Sequence, residues 1–301
     1  MKVLISGSTG LIGSALFSSL EDRGHEVNRL VRKEPKGSNE IFWDPKNGKL
    51  DCSTIEGFDG VVHLAGENVG NGRWTQTKKE KIRQSRIQGT TLLSQSLSQC
   101  SIPPRVLVCA SAIGFYGDRG EENLDETSSS GFGFLPEVCE QWERSTQPAN
   151  DKGIRVVKLR IGVVLSSEGG ALKKMLFPFK MGGGGILGNG KQYFSWITLG
   201  DVVGAICHAL QSEQLKGPVN AVSPNPVSNR EFTKTLGKVL HRPTVLPIPA
   251  FAAKLAFGQM ADELLLASTK VNPKALQESG FHFRDPKIEG ALKNVLQKPS
   301  H

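Results

Sequence analysis

Apolar positions along this chain fall into two alternating patterns. Short, nearly continuous runs occur at Met1 to Ser6, His25 to Val31, Phe58 to Gly66, Arg105 to Ala110 and Ile154 to Ile161; such runs belong to strands buried on both faces. Between them lie segments with helical spacing. Ile12, Ala15, Leu16, Ser19 and Leu20 form one narrow face of a helix that Gly24 ends, and Gln76 to Gln99 predicts a long helix striped by Gly89, Leu92, Leu93, Ser96 and Leu97. Pro103 and Pro104 close that helix, and a third is expected around Leu135 to Gln147. Strands alternating with helices predict an α/β fold, a doubly wound parallel (Rossmann) sheet. A short hairpin is expected at Ile41-Phe42-Trp43 and Asn47-Gly48.

From Gly162 the pattern loosens. A dinucleotide-binding core at 1–165 is therefore expected to be followed by a smaller α+β substrate lobe at 166–301, interleaved with it. Glycine-rich loops at 182–190, a strand from Phe194 to Leu199, a helix through Leu210 capped by Asp201 and an apolar helical stretch from Phe251 to Leu266 are expected there.

The first turn carries the sharpest chemistry. Gly7-Ser8-Thr9-Gly10-Leu11-Ile12-Gly13 follows the first strand and opens a helix, so Gly7, Thr9, Gly10, Leu11, Ile12 and Gly13 are candidates for holding a pyrophosphate on backbone amides. Leu64, Ala65 and Gly66, small residues ending another strand, would let a nucleotide lie close. Dinucleotide sites that select the unphosphorylated cofactor place a carboxylate about twenty residues beyond the glycines. Here Arg32 and Lys33 stand there instead, which predicts NADP(H); the bland alternative is a pair of surface cations.

Composition narrows the class. The chain has 301 residues, 38% hydrophobic and 22% charged, with no apolar run long enough to span a bilayer and no room for a signal peptide before the first strand, so a cytoplasmic protein is expected. Five scattered cysteines suggest neither a zinc site nor disulfides, and no metal is expected. The net charge of +8 raises nucleic acid as a partner, but the densest basic stretch, Lys78 to Arg86, is broken by Glu80 and lacks aromatics. A small-molecule substrate is the expected partner, without nucleic acid or membrane, as a monomer or homodimer.

Several of these pieces together resemble an extended short-chain dehydrogenase/reductase of the NAD(P)-dependent epimerase/dehydratase family. They are Thr9-Gly10-Leu11-Ile12-Gly13, His63-Leu64-Ala65, Gly89-Thr90-Thr91-Leu92-Leu93 and the aromatic strand from Phe194 to Asp201. Leu64-Ala65-Gly66-Glu67-Asn68, Gln141-Trp142-Glu143 and Phe257 through Ser268, with Lys270-Val271 and Pro273, are similar to the atypical 39U-type subgroup over essentially the full length. Its family-specific C-terminal segment falls at about 249–296.

The resemblance implies NADP(H)-linked oxidoreductase or epimerase chemistry on a small hydroxyl or carbonyl compound, with a nucleotide sugar among the candidates. It also implies that Glu80 and Arg86 reach the adenine end, whereas by themselves they are charges on a helix face. Ser111, at a strand end, fits the residue that positions substrate. The superfamily's Tyr-x-x-x-Lys pair is missing, because Leu135 and Cys139 fall at its two places. Of two tyrosines in the chain, Tyr116 lies nearer, as a substitute acid or a packing residue. Arg160 is a candidate for touching cofactor or substrate, or else for a structural ion pair. His63 reads as a core histidine. The missing pair keeps a second function open, a non-catalytic NADP(H)-binding regulator, for example in cell division.

Overall fold

The computed structural model describes residues 1–297; residues 298–301, the end of the expected lobe, lie outside the described residues. Seven strands, β1 (Lys2–Ser6), β2 (Glu26–Val31), β3 (Glu40–Phe42), β4 (Gly60–His63), β5 (Val106–Ala112), β6 (Arg155–Ile161) and β7 (Gly217–Ala221), form one parallel sheet in the order β7-β6-β5-β4-β1-β2-β3. The order reverses between β1 and β4, and at such a switch point the carboxyl ends of the strands part to leave a ligand crevice. Ser6 and His63 are register partners there.

The principal helices are α1 (Leu11–Glu21), α2 (Gln76–Gln99), α3 (Phe134–Arg144), α4 (Gly170–Lys180), α5 (Leu199–Gln211), α6 (Asn229–Leu240), α7 (Ala250–Phe257) and α8 (Ile288–Gln297). α1 and α5 cover one face of the sheet, where Leu16, Phe17, Leu20 and Ile206 pack on Val3, Ile5 and Val62. α2 and α3 cover the other, where Leu93, Leu97 and Trp142 meet Leu4, Val61 and Leu107. A third cluster, Leu172, Leu176 and Phe179 with Trp196, Phe232, Leu236 and Leu292, forms the core of the second lobe. α5 and β7, which fall within 166–297, belong to the main sheet and its core, so the chain beyond residue 165 is not separate from the first part.

Several local expectations need correction. Ile41 and Phe42 form the third parallel strand, and only the Asp44–Lys49 bridge is hairpin-like. The segment from Phe194 to Leu199 is broken at Ser195, whose hydroxyl donates to the Thr269 carbonyl at 2.7 Å and accepts from the Val271 amide at 3.0 Å. Asp201 does not cap α5: Thr198 does, accepting from the Asp201 amide at 3.2 Å. The buried Asp201 carboxylate instead receives the amides of Arg284 (2.8 Å) and Asp285 (3.1 Å), which pins the chain before α8. The apolar stretch 251–266 is two pieces, α7 and a π-helical turn at Ala261–Leu266, parted at Gly258. The fully buried face of α1 is Gly13, Leu16, Phe17 and Leu20, with Ile12 and Ala15 partly buried against the same core and Ser19 outside it. Phe17, whose ring also lies 3.5 Å from the Arg29 guanidinium, joins the face because i, i+3, i+4 and i+7 from residue 13 share one side of the helix.

Candidate functional site

Where β1 gives way to α1, the chain must approach its neighbours closely. Gly7 has φ +71°, and a Cβ there would stand 2.7 Å from the Leu64 carbonyl carbon and 2.8 Å from the Ala65 nitrogen. A Cβ on Gly13 would lie 2.2 Å from the Gly7 carbonyl oxygen. These two glycines therefore set the tight turn and the packing of helix on strand, while Gly10 begins α1 with no side chain capping its first amides. Those amides are open, and no acid lies in the first turn. Thr9 is exposed beside them, and Leu11 and Ile12 are half-buried. A dinucleotide's pyrophosphate fits this cradle because no side chain obstructs the backbone donors.

Leu64, Ala65 and Gly66 lie directly opposite, as expected from the strand order. Arg32 and Lys33, at the end of β2, are both exposed and form no ion pair or side-chain hydrogen bond among the described residues. Glu80 accepts from Gln84 at 2.7 Å on the outer face of α2. Arg86 turns inward instead: its guanidinium donates to the carbonyls of Glu67 (3.0 Å) and Ile82 (3.2 Å), lies 4.9 Å from the Trp142 ring and abuts Gly66. Burial lowers its pKa. Of the two charges, only Arg86 is thus set beside the strand-end glycine.

Beneath the crevice, the Ser6 hydroxyl and His63 Nδ1 are 2.6 Å apart, and Ser6 Oγ also accepts from the Leu64 amide at 3.2 Å. His63 is wholly buried against Trp43, and burial lowers its pKa to about 4. It is a neutral core histidine. Unfolding releases it to bind a proton below about pH 6.5, so the stability its burial confers on the native state is present above that pH and lost as pH falls toward about 4. The loss should approach about 3 kcal/mol. Urea midpoints compared for the parent and His63→Asn between these pH values should show a shallower acid dependence in the variant, and parallel curves would refute the assignment.

At the end of β5, the expected positioning residue Ser111 is buried and donates to Glu143 Oε1 at 2.7 Å. Arg160 grips the same carboxylate twice, from Nε at 2.8 Å and Nη2 at 3.0 Å, and its Nη1 donates to the Tyr116 hydroxyl at 3.0 Å. Burial works against the Arg160 charge, but the Glu143 carboxylate outweighs it and raises the pKa. Tyr116 is fully buried, its hydroxyl donating to Asn220 Oδ1 at 2.8 Å with the Asp125 carbonyl at 3.0 Å, and burial raises its pKa. Ser111, Tyr116 and Arg160 thus meet in one closed network with Glu143 and Asn220. Tyr116 presents no hydroxyl to a ligand and lies apart from the glycine cradle. Cys139 is buried, its thiol pushed up to about 12 by burial, and Leu135 offers only a hydrocarbon surface.

That surface borders a cavity of about 630 Å³ running from Gly114, Gly117 and Leu135 to Asn189 on the second lobe and Glu263 on the C-terminal segment. The C-terminal string is a clamp. Ser268 bonds the Gly120 carbonyl, Thr269 Oγ1 donates to the Gly117 carbonyl at 2.9 Å, and Lys270–Val271 pairs with Asn123–Leu124. Glu263 accepts the first amides of α3, from Phe134 at 3.2 Å and Leu135 at 2.8 Å, and so caps a helix that has no cap of its own. Glu143, Asn220 and Glu263 were missed as site residues. Glu143 stood in a quoted motif, but nothing local reveals that Glu263 meets a helix more than a hundred residues earlier. Among the described residues no group of His, Cys, Asp or Glu is placed to hold a metal, and no helix is long and apolar enough to cross a membrane.

Residues 3–221 match the NAD-dependent epimerase/dehydratase family, and residues 248–295 match a domain of unknown function, DUF1731. The epimerase family protein Mb2239 of Mycobacterium bovis is 43% identical over 99% of this chain and 98% of its own length. The human epimerase family protein SDR39U1 is 36% identical over 98% and 100%. The crystal structure of that human protein (isoform 2) with NADPH superimposes with a TM-score of 0.91, at 35% identity, covering 99% of this chain and 100% of that one. A nucleoside-diphosphate sugar epimerase from Corynebacterium glutamicum gives a TM-score of 0.82 at 40% identity, covering 98% of this chain and 58% of that one.

Proposed function

The chain belongs to the NAD-dependent epimerase/dehydratase family, and on that footing we propose that it binds NADP(H) and serves as an oxidoreductase or epimerase for a small hydroxyl- or carbonyl-bearing compound. The observation that carries this is the open glycine cradle at the switch point of the sheet, where Gly7 and Gly13 admit no Cβ and no side chain caps the first amides of α1. The human relative's structure with NADPH supports the choice of nucleotide. Gly7, Gly10, Leu11, Ile12 and Gly13 would hold the pyrophosphate, Leu64 to Gly66 the adjoining ribose, and Arg86 would keep the Gly66 to Glu67 backbone in place from behind. When bound, the nicotinamide supplies or accepts a hydride. Ser111 has committed its proton to Glu143, so it can offer a ligand only an accepting lone pair.

Arg32 and Lys33 carry the preference for the extra phosphate. A charge-assisted hydrogen bond contributes about 1.5 to 3 kcal/mol, roughly ten- to hundredfold in affinity. Arg32→Glu should weaken NADPH by that factor and leave NADH little changed, as measured by thermal shift and nucleotide fluorescence. Equal affinity of the parent for both nucleotides would defeat the proposal. Turnover is tested by NADPH consumption across a carbonyl panel, with Ser111→Ala as the control.

The second reading, a non-catalytic NADP(H)-dependent regulator, is favoured by the closed Tyr116 network and by Leu135 and Cys139. A partner recovered only with NADPH, together with silence across the panel, would establish it.

A further inference from the structure

The cavity beside Leu135 is unsuited to a diphosphate. Four carboxylates line it, from Asp118, Glu121, Asp262 and Glu263, against the ammonium groups of Lys191 and Lys254. Lys254 is already paired with Asp262 at 2.7 Å, which leaves Lys191 as the lining cation without an ion pair among the described residues. A diphosphate placed there would meet more like charge than opposite charge, and like-charge juxtaposition is how a site rejects a ligand. The rest of the wall is largely apolar. Leu135, Pro136 and Leu266 line it, and Phe132 stands at its rim 99% exposed, an apolar surface with nothing of this chain upon it.

Among the polar groups of the wall, Glu263 is held by three hydrogen bonds. Glu263 Oε1 accepts from the Phe134 amide at 3.2 Å and from Gln259 Nε2 at 2.7 Å, while Oε2 accepts, among the described residues, only from the Leu135 amide at 2.8 Å. A carboxylate oxygen has room for a further donor, so Oε2 keeps a lone pair for the cavity. Gly133, with φ +123°, supplies the backbone turn that brings the first amides of α3 onto this carboxylate. The acceptor is therefore held against the backbone of the residue that stands where the family's tyrosine would be, but it comes from the C-terminal segment.

We propose, resting on the NADP(H)-linked function above, that this cavity takes a compact phosphate-free alcohol with an apolar face, and that Glu263 accepts the hydroxyl hydrogen bond that orients it. Phe132, Leu135 and Leu266 pack on the apolar side. Nucleoside diphosphate sugars are excluded by charge.

The test uses the full chain, with and without saturating NADPH, titrated by calorimetry and ligand-observed NMR with two probes, 1-phenylethane-1,2-diol and UDP-glucose. The diol should bind. Glu263→Gln should weaken it at least tenfold, and Ala250→Trp, which fills the cavity from the α7 side without touching the Glu263 hydrogen bonds, should abolish it; UDP-glucose should not bind. Absence of diol binding, diol binding unchanged in Ala250→Trp or in a folded Glu263→Gln, or UDP-glucose binding that Ala250→Trp removes would each overturn the proposal. Failure of NADPH to bind would instead count against the cofactor assignment, and the diol titration on the nucleotide-free chain would still decide the cavity.

Discussion

Truncation of Glu143 to alanine is expected to destabilise the protein by about 3 to 5 kcal/mol, the usual cost of removing one partner of a buried ion pair. The Arg160 side chain is only 4% exposed and stacks 3.5 Å from the Phe115 ring, so water cannot replace the carboxylate that takes two of its hydrogen bonds. Ser111 loses its acceptor in the same step. Chemical denaturation should show the loss as a lower midpoint with an unchanged slope. Glu143→Leu combined with Arg160→Met should recover much of it, because a buried pair replaced by hydrocarbon of similar volume is often neutral. A loss below about 1 kcal/mol for the single variant, the range of exposed pairs, would mean that the network is open to solvent.

Gly13→Ala should be the most damaging single-methyl change to cofactor binding. Its Cβ would lie 2.2 Å from the Gly7 carbonyl oxygen and 2.9 Å from the Ser8 Cα, both backbone atoms that cannot swing aside. α1 must lift from β1, costing about 1 to 3 kcal/mol of stability as overpacking does, and its first amides move with it. NADPH affinity should fall at least about a hundredfold, the worth of two or so misdirected hydrogen bonds. Gly200→Ala is the control. Its Cβ, in the first turn of α5, would meet nothing within 4 Å, so nucleotide titration should separate the two variants. Equal behaviour would mean that close packing at residue 13 does not shape the cradle.

Much of the fold was legible because its signals are local. Apolar runs at β1, β2, β4, β5 and β6 mark buried parallel strands, and the bounds of α2, Gln76–Gln99, agree with those read from its apolar stripe and the prolines beyond it. The glycine turn could be read as a cradle since its spacing serves backbone geometry alone. Asp201 misled for the opposite reason: an acid before an apolar helical run has the look of a cap, but its partners are amides at 284 and 285. Ser111, Tyr116 and Arg160 were each singled out, and only their shared contacts show that they consume one another's hydrogen-bonding capacity.

The sequence by itself determined the strand and helix order, the turn that opens toward a nucleotide, the family and the loss of the tyrosine and lysine, since each depends on residue identity within a short window. Only the tertiary structure decided that Arg86 turns inward to the Gly66 strand end, that Tyr116 is sealed beneath Arg160, and that Glu263 caps α3 at the rim of the cavity. Such contacts join segments far apart in the chain. Their energies depend on burial and on which donor reaches which acceptor, and no local periodicity encodes either.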